Sequence, residues 1–251
     1  MKKMLQSLRW MAPVMDVILS PLTLVAVLWF RLARYWGVKN HPLMKAIFLK
    51  VGVFPIVDHY YDPLFNYRNI PKPTTVYSYL DFRDQAQLKF LRELSFATEL
   101  KQLPRTGISN LKYYYQNGSF NSGDSELYYS IIRSLKPRTI VEVGSGFSTL
   151  MAIEALEQNR LDQSSYNGKL ICIEPYEMPQ LEKLNIELIR KPVENVSDEY
   201  FRTLGSGDIL FVDSSHIIRP GGDVNHLILK ILPALNQGVW IHFHDIFKKI
   251  K

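Results

Sequence analysis

Five short apolar runs, "TIVEV", "KLICIE", "IELIR", "GDILFVD" and "GVWIHFHD", follow one another through the C-terminal half of the chain, and helix-compatible stretches separate most of them. Runs of this length with β-branched content read as buried strands. Strands alternating with helices predict a parallel sheet covered on both faces, so the fold class is α/β, with ligands at the carboxyl ends of the strands. The polar residues of interest sit at those ends. At 251 residues and 47% hydrophobic content the chain can bury a sizeable core, as one α/β domain with an appendage or as two small domains.

The first half reads differently. "MAPVMDVILSPLTLVAVLWF", Met11 to Phe30, approaches the length of a spanning helix but contains Asp16, Ser20 and Pro21. Lys2, Lys3 and Arg9 precede it, Arg31, Arg34 and Lys39 follow it, and no small-residue cleavage site comes after, so the segment is expected to be retained. Three arrangements stay open: an interfacial or hairpin-like anchor, a span, and a buried or partner-facing helix. "VGVFPIVDHYYDPLFNYRNIPKPTTVY" is rich in proline and aromatics and predicts a loop-like wrapping segment. His59, Tyr60, Tyr61, Asp62 and Arg68 within it are acceptor contacts in one reading and plain wrapping in the other, and no role is assigned to them. "FRDQAQLKFLRELSFATEL" has amphipathic helical character, and "SELYYSIIRSLK" predicts a helix capped by Ser122 or Asp124 and ended by Pro137.

A net charge of +6 suits an acidic substrate, an anionic membrane surface or nucleic acid, and equally an ordinary basic protein. No nucleic-acid-binding module or basic-aromatic platform is recognisable, which ranks nucleic acid last among partners. The single cysteine, Cys172, excludes an internal disulfide and fits a reducing compartment. The expected location is cytoplasmic, peripheral to or anchored at the cytoplasmic face of the membrane.

"VEVGSGFSTLMAIEAL" runs from strand to helix through Gly144 and Gly146, with Ser148 and Thr149 in the first helical turn. Glycines permit a tight turn and close backbone approach, and helix N-terminal amides can receive an anion. Glu174 at the end of the next strand can accept hydrogen bonds from both hydroxyls of an adenosine ribose. Thr149 stands where a dinucleotide fingerprint has its third glycine, so an adenosyl cofactor without phosphates fits better than a nicotinamide dinucleotide.

Glu142-Val143-Gly144-Ser145-Gly146 followed by Glu174 resembles class I S-adenosylmethionine-dependent methyltransferases, in particular a bacterial family that continues with "FVDSSHIIRPGGDV" and "HFHDIF". "GVFPIVDHYYDPLF" and "FNSGDSELYY" are similar to that group too. The resemblance implies a Rossmann-like sheet, S-adenosylmethionine as cofactor, a loop of Glu142, Gly144, Ser145, Gly146, Ser148 and Thr149 holding its methionine part, Glu174 on its ribose, and Asp213 beside it. With the change of character near Lys112 to Gly123, three regions are expected: 1–50, apolar, basic and helical, with a possible membrane association; 51–121, an irregular and helical cap; and 122–251, the cofactor-binding domain. The resemblance also implies a final antiparallel hairpin after the fifth strand, which is missing from this sequence.

Asp213 ends the fourth strand with His216 just beyond, and His244 and Asp245 end the fifth. Ionisable groups gathered at strand ends are costly unless they pair, bind or react. Period-two alternation puts His242 on the same face as His244 but deeper, as a neutral, hydrogen-bonded core histidine. Related catechol-type O-methyltransferases hold magnesium with acids at these two strand ends. Asp213 and Asp245 match those positions, whereas His216 and His244 depart from them and suit a softer divalent metal. The expectation is a metal held by Asp213, His244 and Asp245, or a metal-free base among His216, His244 and Asp245; a purely structural cluster is the third reading. The corresponding function is O-methylation of a small-molecule, glycan-linked or lipid-linked hydroxyl. Its rivals are a membrane-associated binding protein of this fold without turnover and, last, a nucleic-acid methyltransferase. The acceptor and the oligomeric state are not legible.

Overall fold

The structure, a computed structural model, describes residues 11–52, 83–107, 109–176 and 178–245. The chain divides into two compact units, residues 1–76 and 77–251. Of the wrapping segment expected over 51–77, Val51 ends a helix with Gly52 as its cap, and residues 53–77, with the acceptor contacts weighed there, lie outside the described residues.

The first unit holds α1 (Ala12–Tyr35) and α2 (Pro42–Val51). α1 runs through Pro21, which has no N–H to give the carbonyl one turn back. That carbonyl belongs to Val17, and the Ser20 hydroxyl donates to it at 3.0 Å. The helix therefore continues across the proline with its backbone acceptor satisfied. The two helices meet through Phe30 and Phe48, whose rings lie edge to face 5.4 Å apart. Trp36 stacks on His41 in the turn between them.

In the second unit, α3 (Asp84–Glu93) and α4 (Ala97–Leu100) share the stretch of amphipathic character. Leu94 takes an extended conformation and separates them. The break turns Phe96 and Glu99 toward Arg133 on α5 (Asp124–Leu135): the guanidinium lies 5.3 Å from the Phe96 ring and donates to both Glu99 oxygens at 2.7 and 2.9 Å. The cap of α5 differs from either expectation. Gly123 is the cap residue, and Glu126 accepts from its N–H at 2.8 Å and from the Ser122 hydroxyl at 3.0 Å.

From there the chain alternates: β1 (Thr139–Val143), α6 (Phe147–Asp162), β2 (Lys169–Ile173), β3 (Glu187–Ile189), α7 (Glu199–Arg202), β4 (Ile209–Val212), α8 (Asp223–His226) with a wider helical turn Leu227–Ile231, and β5 (Trp240–Phe243). All pairings are parallel and the order is β3-β2-β1-β4-β5. This is the Rossmann-like arrangement expected from the alternating runs. Pleating sends Ile140, Cys172, Ile209 and Phe211 to one face, where Tyr128, Ile132, Leu150 and Leu156 of α5 and α6 cover them. Val141, Val143, Leu210 and Val212 go to the other, against Val193, Phe201, Leu204, Leu227 and Ile231. Burying each such aliphatic side chain contributes about 1.5–3 kcal/mol, and the covering on both faces is why these strands read as continuous apolar runs. The strand order reverses between β1 and β4, which opens a crevice at their carboxyl ends.

Candidate active site

The crevice is built first by backbone. Gly144 continues β1 into its pairing, donating to Ile173 O at 3.0 Å, while the Asp213 N–H donates to Val143 O at 2.8 Å. Gly144 has φ +81°, and a Cβ there would sit 1.8 Å from the Asp213 carbonyl oxygen. Only glycine fits that approach. Behind the loop, Glu142 is fully buried and accepts from the Ser148 hydroxyl. Burial pushes its carboxyl up to about 8, against the hydrogen bonds of Ser148 and Thr149. Thr149 Oγ1 accepts from the Gly146 N–H at 2.9 Å. Ser148 and Thr149 are thus buried supports of the turn rather than groups facing the crevice.

Glu174, 2% exposed, stands at the end of β2 on the other side of Gly144. Its two oxygens accept from the backbone N–H groups of Ser145 at 3.1 Å and Tyr176 at 2.9 Å. Arg190 holds the loop beyond it by donating to the carbonyls of Glu174 and Met178 at 3.1 Å each.

Asp213, His216, His244 and Asp245 come together at the ends of β4 and β5. His216 Nε2 lies 3.1 Å from Asp213 Oδ1. His244 Nδ1 lies 3.3 Å from the same oxygen and 3.6 Å from Asp245 Oδ2. Burial would raise the Asp213 carboxyl, yet the two histidines hold it down at about 2. Contact with Asp213 raises His216, and the same contact, aided by the charges of Asp245 and Asp124, raises His244 to about 9. Asp213, His216 and Asp245 each offer a ligand atom within 4.8 Å of the other two. The sequence had put His244 in that set.

Pleating places His242 as expected on the α5 face, 4.9 Å from the Phe211 ring and 5.5 Å from Tyr128. Burial there lowers its pKa to about 4, which keeps it neutral. One detail differs from the expectation: its buried Nδ1 makes no hydrogen bond among the described residues. His244 is itself covered, at 7% exposed. The cover comes from Phe120, whose ring centre is 5.2 Å from that of His244, and from Asp124, whose Oδ2 is 3.5 Å from Nε2.

Against known proteins, residues 141–246 match the family model described as a methyltransferase domain. This segment is thus similar to methyltransferase domains. It contains every site residue named above from Glu142 to Asp245. Over 134 residues, half of this chain and 58% of the relative, the chain is 36% identical to an uncharacterized protein of Archaeoglobus fulgidus. The match thus spans less than two thirds of that relative's length. A crystal structure from Plasmodium falciparum, assigned as a protein-L-isoaspartate O-methyltransferase in complex with S-adenosyl-L-homocysteine, superposes with a TM-score of 0.38 at 16% identity, over 66% of this chain and 83% of that one. At that score the superposition carries no weight beside the strand order.

The sequence reading missed three residues that shape the crevice. Asp124 was taken for a cap, but with Glu126 capping α5 it reaches His244 instead. The spare acid two residues before a better-placed one was the available signal. Phe120 gave none. Asp223 accepts from the Ser215 N–H at 2.6 Å and its hydroxyl at 2.7 Å, and so fixes the turn in which His216 adopts φ +58°.

Proposed function

We propose that the chain is a class I S-adenosylmethionine-dependent methyltransferase acting on a hydroxyl oxygen. The observation that carries the reading is the junction at the strand-order reversal. There a glycine turn that tolerates no side chain lies between a buried acid at the end of β2 and an ionised acid at the end of β4. The Gly144 to Gly146 loop and Glu174 would hold the cofactor, with Glu142, Ser148 and Thr149 keeping the loop in shape. When bound, its sulfonium supplies an activated methyl group.

The chain's own residues manage the acceptor's proton. Asp213 holds His216 through Nε2, which leaves Nδ1 as the basic nitrogen, and this pair is the proton acceptor. His244 does not share that role at neutral pH. With a pKa of about 9 it is protonated, and it offsets the charges of Asp213, Asp245 and Asp124. A second reading has a divalent cation on Asp213, His216 and Asp245, favoured by the mutual reach of their ligand atoms.

α1 supports membrane attachment. Its apolar window is long enough to cross a bilayer and none of that window is buried. The Ser20 bond to the Val17 carbonyl removes the unpaired acceptor that a proline would leave in hydrocarbon. A location at the cytoplasmic face is part of this proposal.

Calorimetry with S-adenosylmethionine, S-adenosylhomocysteine and NAD tests the cofactor. The first two should bind and NAD should not, and Glu174→Ala should weaken binding by about 1–3 kcal/mol. Equal binding of NAD, or a folded Glu174→Ala protein with unchanged affinity, would sink the reading. Transfer that a chelator abolishes and a divalent ion restores supports the metal. A rate indifferent to chelator, rising with pH through a pKa above 6.5, supports His216 as base.

A further inference from the structure

In the second unit an open cavity of about 720 Å³ lies between α4, the segment 103–105, the segment 115–116 and the start of α5. That volume is within the usual range for small-molecule sites, about 300–1,000 Å³. Its walls are tied to one another. The backbone N–H groups of Tyr115 and Gln116 donate to the carbonyls of Pro104 and Arg105 at 3.0 and 2.8 Å. The Tyr115 hydroxyl donates to Leu100 O at 3.1 Å, and Glu99, beside Leu100, is gripped by Arg133.

The lining is apolar at Ala97, Leu100 and Leu103 and cationic at Lys101 and Arg105. Glu126, the acid of the lining, already accepts from Gly123 and Ser122. Neither Lys101 nor Arg105 forms an ion pair among the described residues. A further wall, Asn121 and Ser122, lies in the segment bounded by Phe120 and Asp124, the two residues that cover His244. The cavity therefore adjoins, through one short stretch of chain, the cluster assigned to the acceptor's proton.

We propose that this cavity binds the methyl acceptor, a small amphipathic molecule whose apolar body lies on Leu100 and Leu103 and whose carboxylate or phosphate is held by Lys101 and Arg105. The name acceptor rests on the methyltransferase reading; the binding site does not. Guanidinium and ammonium groups recognise both anions, so the chemistry common to the two defines the ligand class.

The test is calorimetric titration of the full chain with octanoate, octyl phosphate, octanol and octylamine, repeated on the double variant Lys101→Met, Arg105→Met. At least one octyl anion should bind about tenfold or more tighter than octanol, and the double variant should lose that preference. The ratio of octanoate to octyl phosphate distinguishes a carboxylate ligand from a phosphate one. Titration with S-adenosylhomocysteine should give the same affinity in both proteins, which shows that the variant is folded. Octanol binding as tightly as both anions, or an anion preference that survives the double variant, overturns the site. Anion binding that depends on Lys101 and Arg105 while S-adenosylhomocysteine fails to bind keeps the site. It removes the methyltransferase reading and, with it, the name acceptor.

Discussion

His244 is a charged residue made by its neighbours. Three carboxylates within 3.6 Å of its ring nitrogens hold the imidazole protonated, with a pKa of about 9, and it in turn helps hold Asp213 at about 2. The linkage has a definite sign. A raised histidine pKa contributes stability fully present below about 6.5 and lost as the pH rises through about 9. A lowered aspartate pKa contributes stability present above about 3.8 and lost as the pH falls through about 2. Thermal unfolding of wild type and His244→Gln, compared from pH 3 to 10, should show the largest difference between about pH 4 and 6.5 and a shrinking one above it. A pH-independent difference would mean the imidazolium pairing does not stabilise the fold. The residues of this cluster at the strand ends could be read from sequence because each lies at the end of an apolar run or just beyond it. Asp124 was harder to read, since its partner lies just past β5 and its one local mark is an acid two residues before the one that caps.

At the scale of elements, the strands and their order follow from short apolar runs and from the glycine turn. The attachment of α4 does not. It depends on Arg133, 3% exposed at its side chain, which donates to Glu99 on α4 and to Asn159 and Asp162 on α6. In sequence Arg133 looks like one more cation on an amphipathic helix. Replacing it by leucine takes the donor from the buried Asn159 amide oxygen and the charged partner from Glu99 and Asp162, which keep only the Tyr129 hydroxyl and the Gln158 amide among the described residues, and should cost about 3 kcal/mol. Denaturant unfolding would measure this, and limited proteolysis should become faster between α4 and α5. A loss below about 0.5 kcal/mol would show that Phe96 packing and the Tyr115 and Tyr129 hydroxyls hold the segment without it. The division of the 84–100 stretch into two helices was equally hidden, because the break serves a partner more than thirty residues away.

For the whole molecule, the apolar content of α1 is the property most visible in sequence and least used by the fold. Val17, Leu24 and Leu28 are each more than half exposed, and basic residues flank the helix. The full chain should sediment with anionic vesicles, less so as salt rises, and Leu24→Asp with Leu28→Asp should release it. Protein that ignores such vesicles at low salt would exclude membrane attachment.

The register of the sheet has a consequence in time. β1 pairs Ile140 with Ile209 of β4, so α6, β2, β3 and α7 all intervene before the central pairing can close. Joining segments so distant along the chain is slow compared with forming helices. The turn at Gly144 takes its shape against the Asp213 carbonyl and therefore cannot be finished until β4 has docked. During refolding, helical signal should return early and competence to bind S-adenosylhomocysteine should return last, in the slowest phase. A chain still being synthesised would carry most of its helices while remaining unable to hold the cofactor.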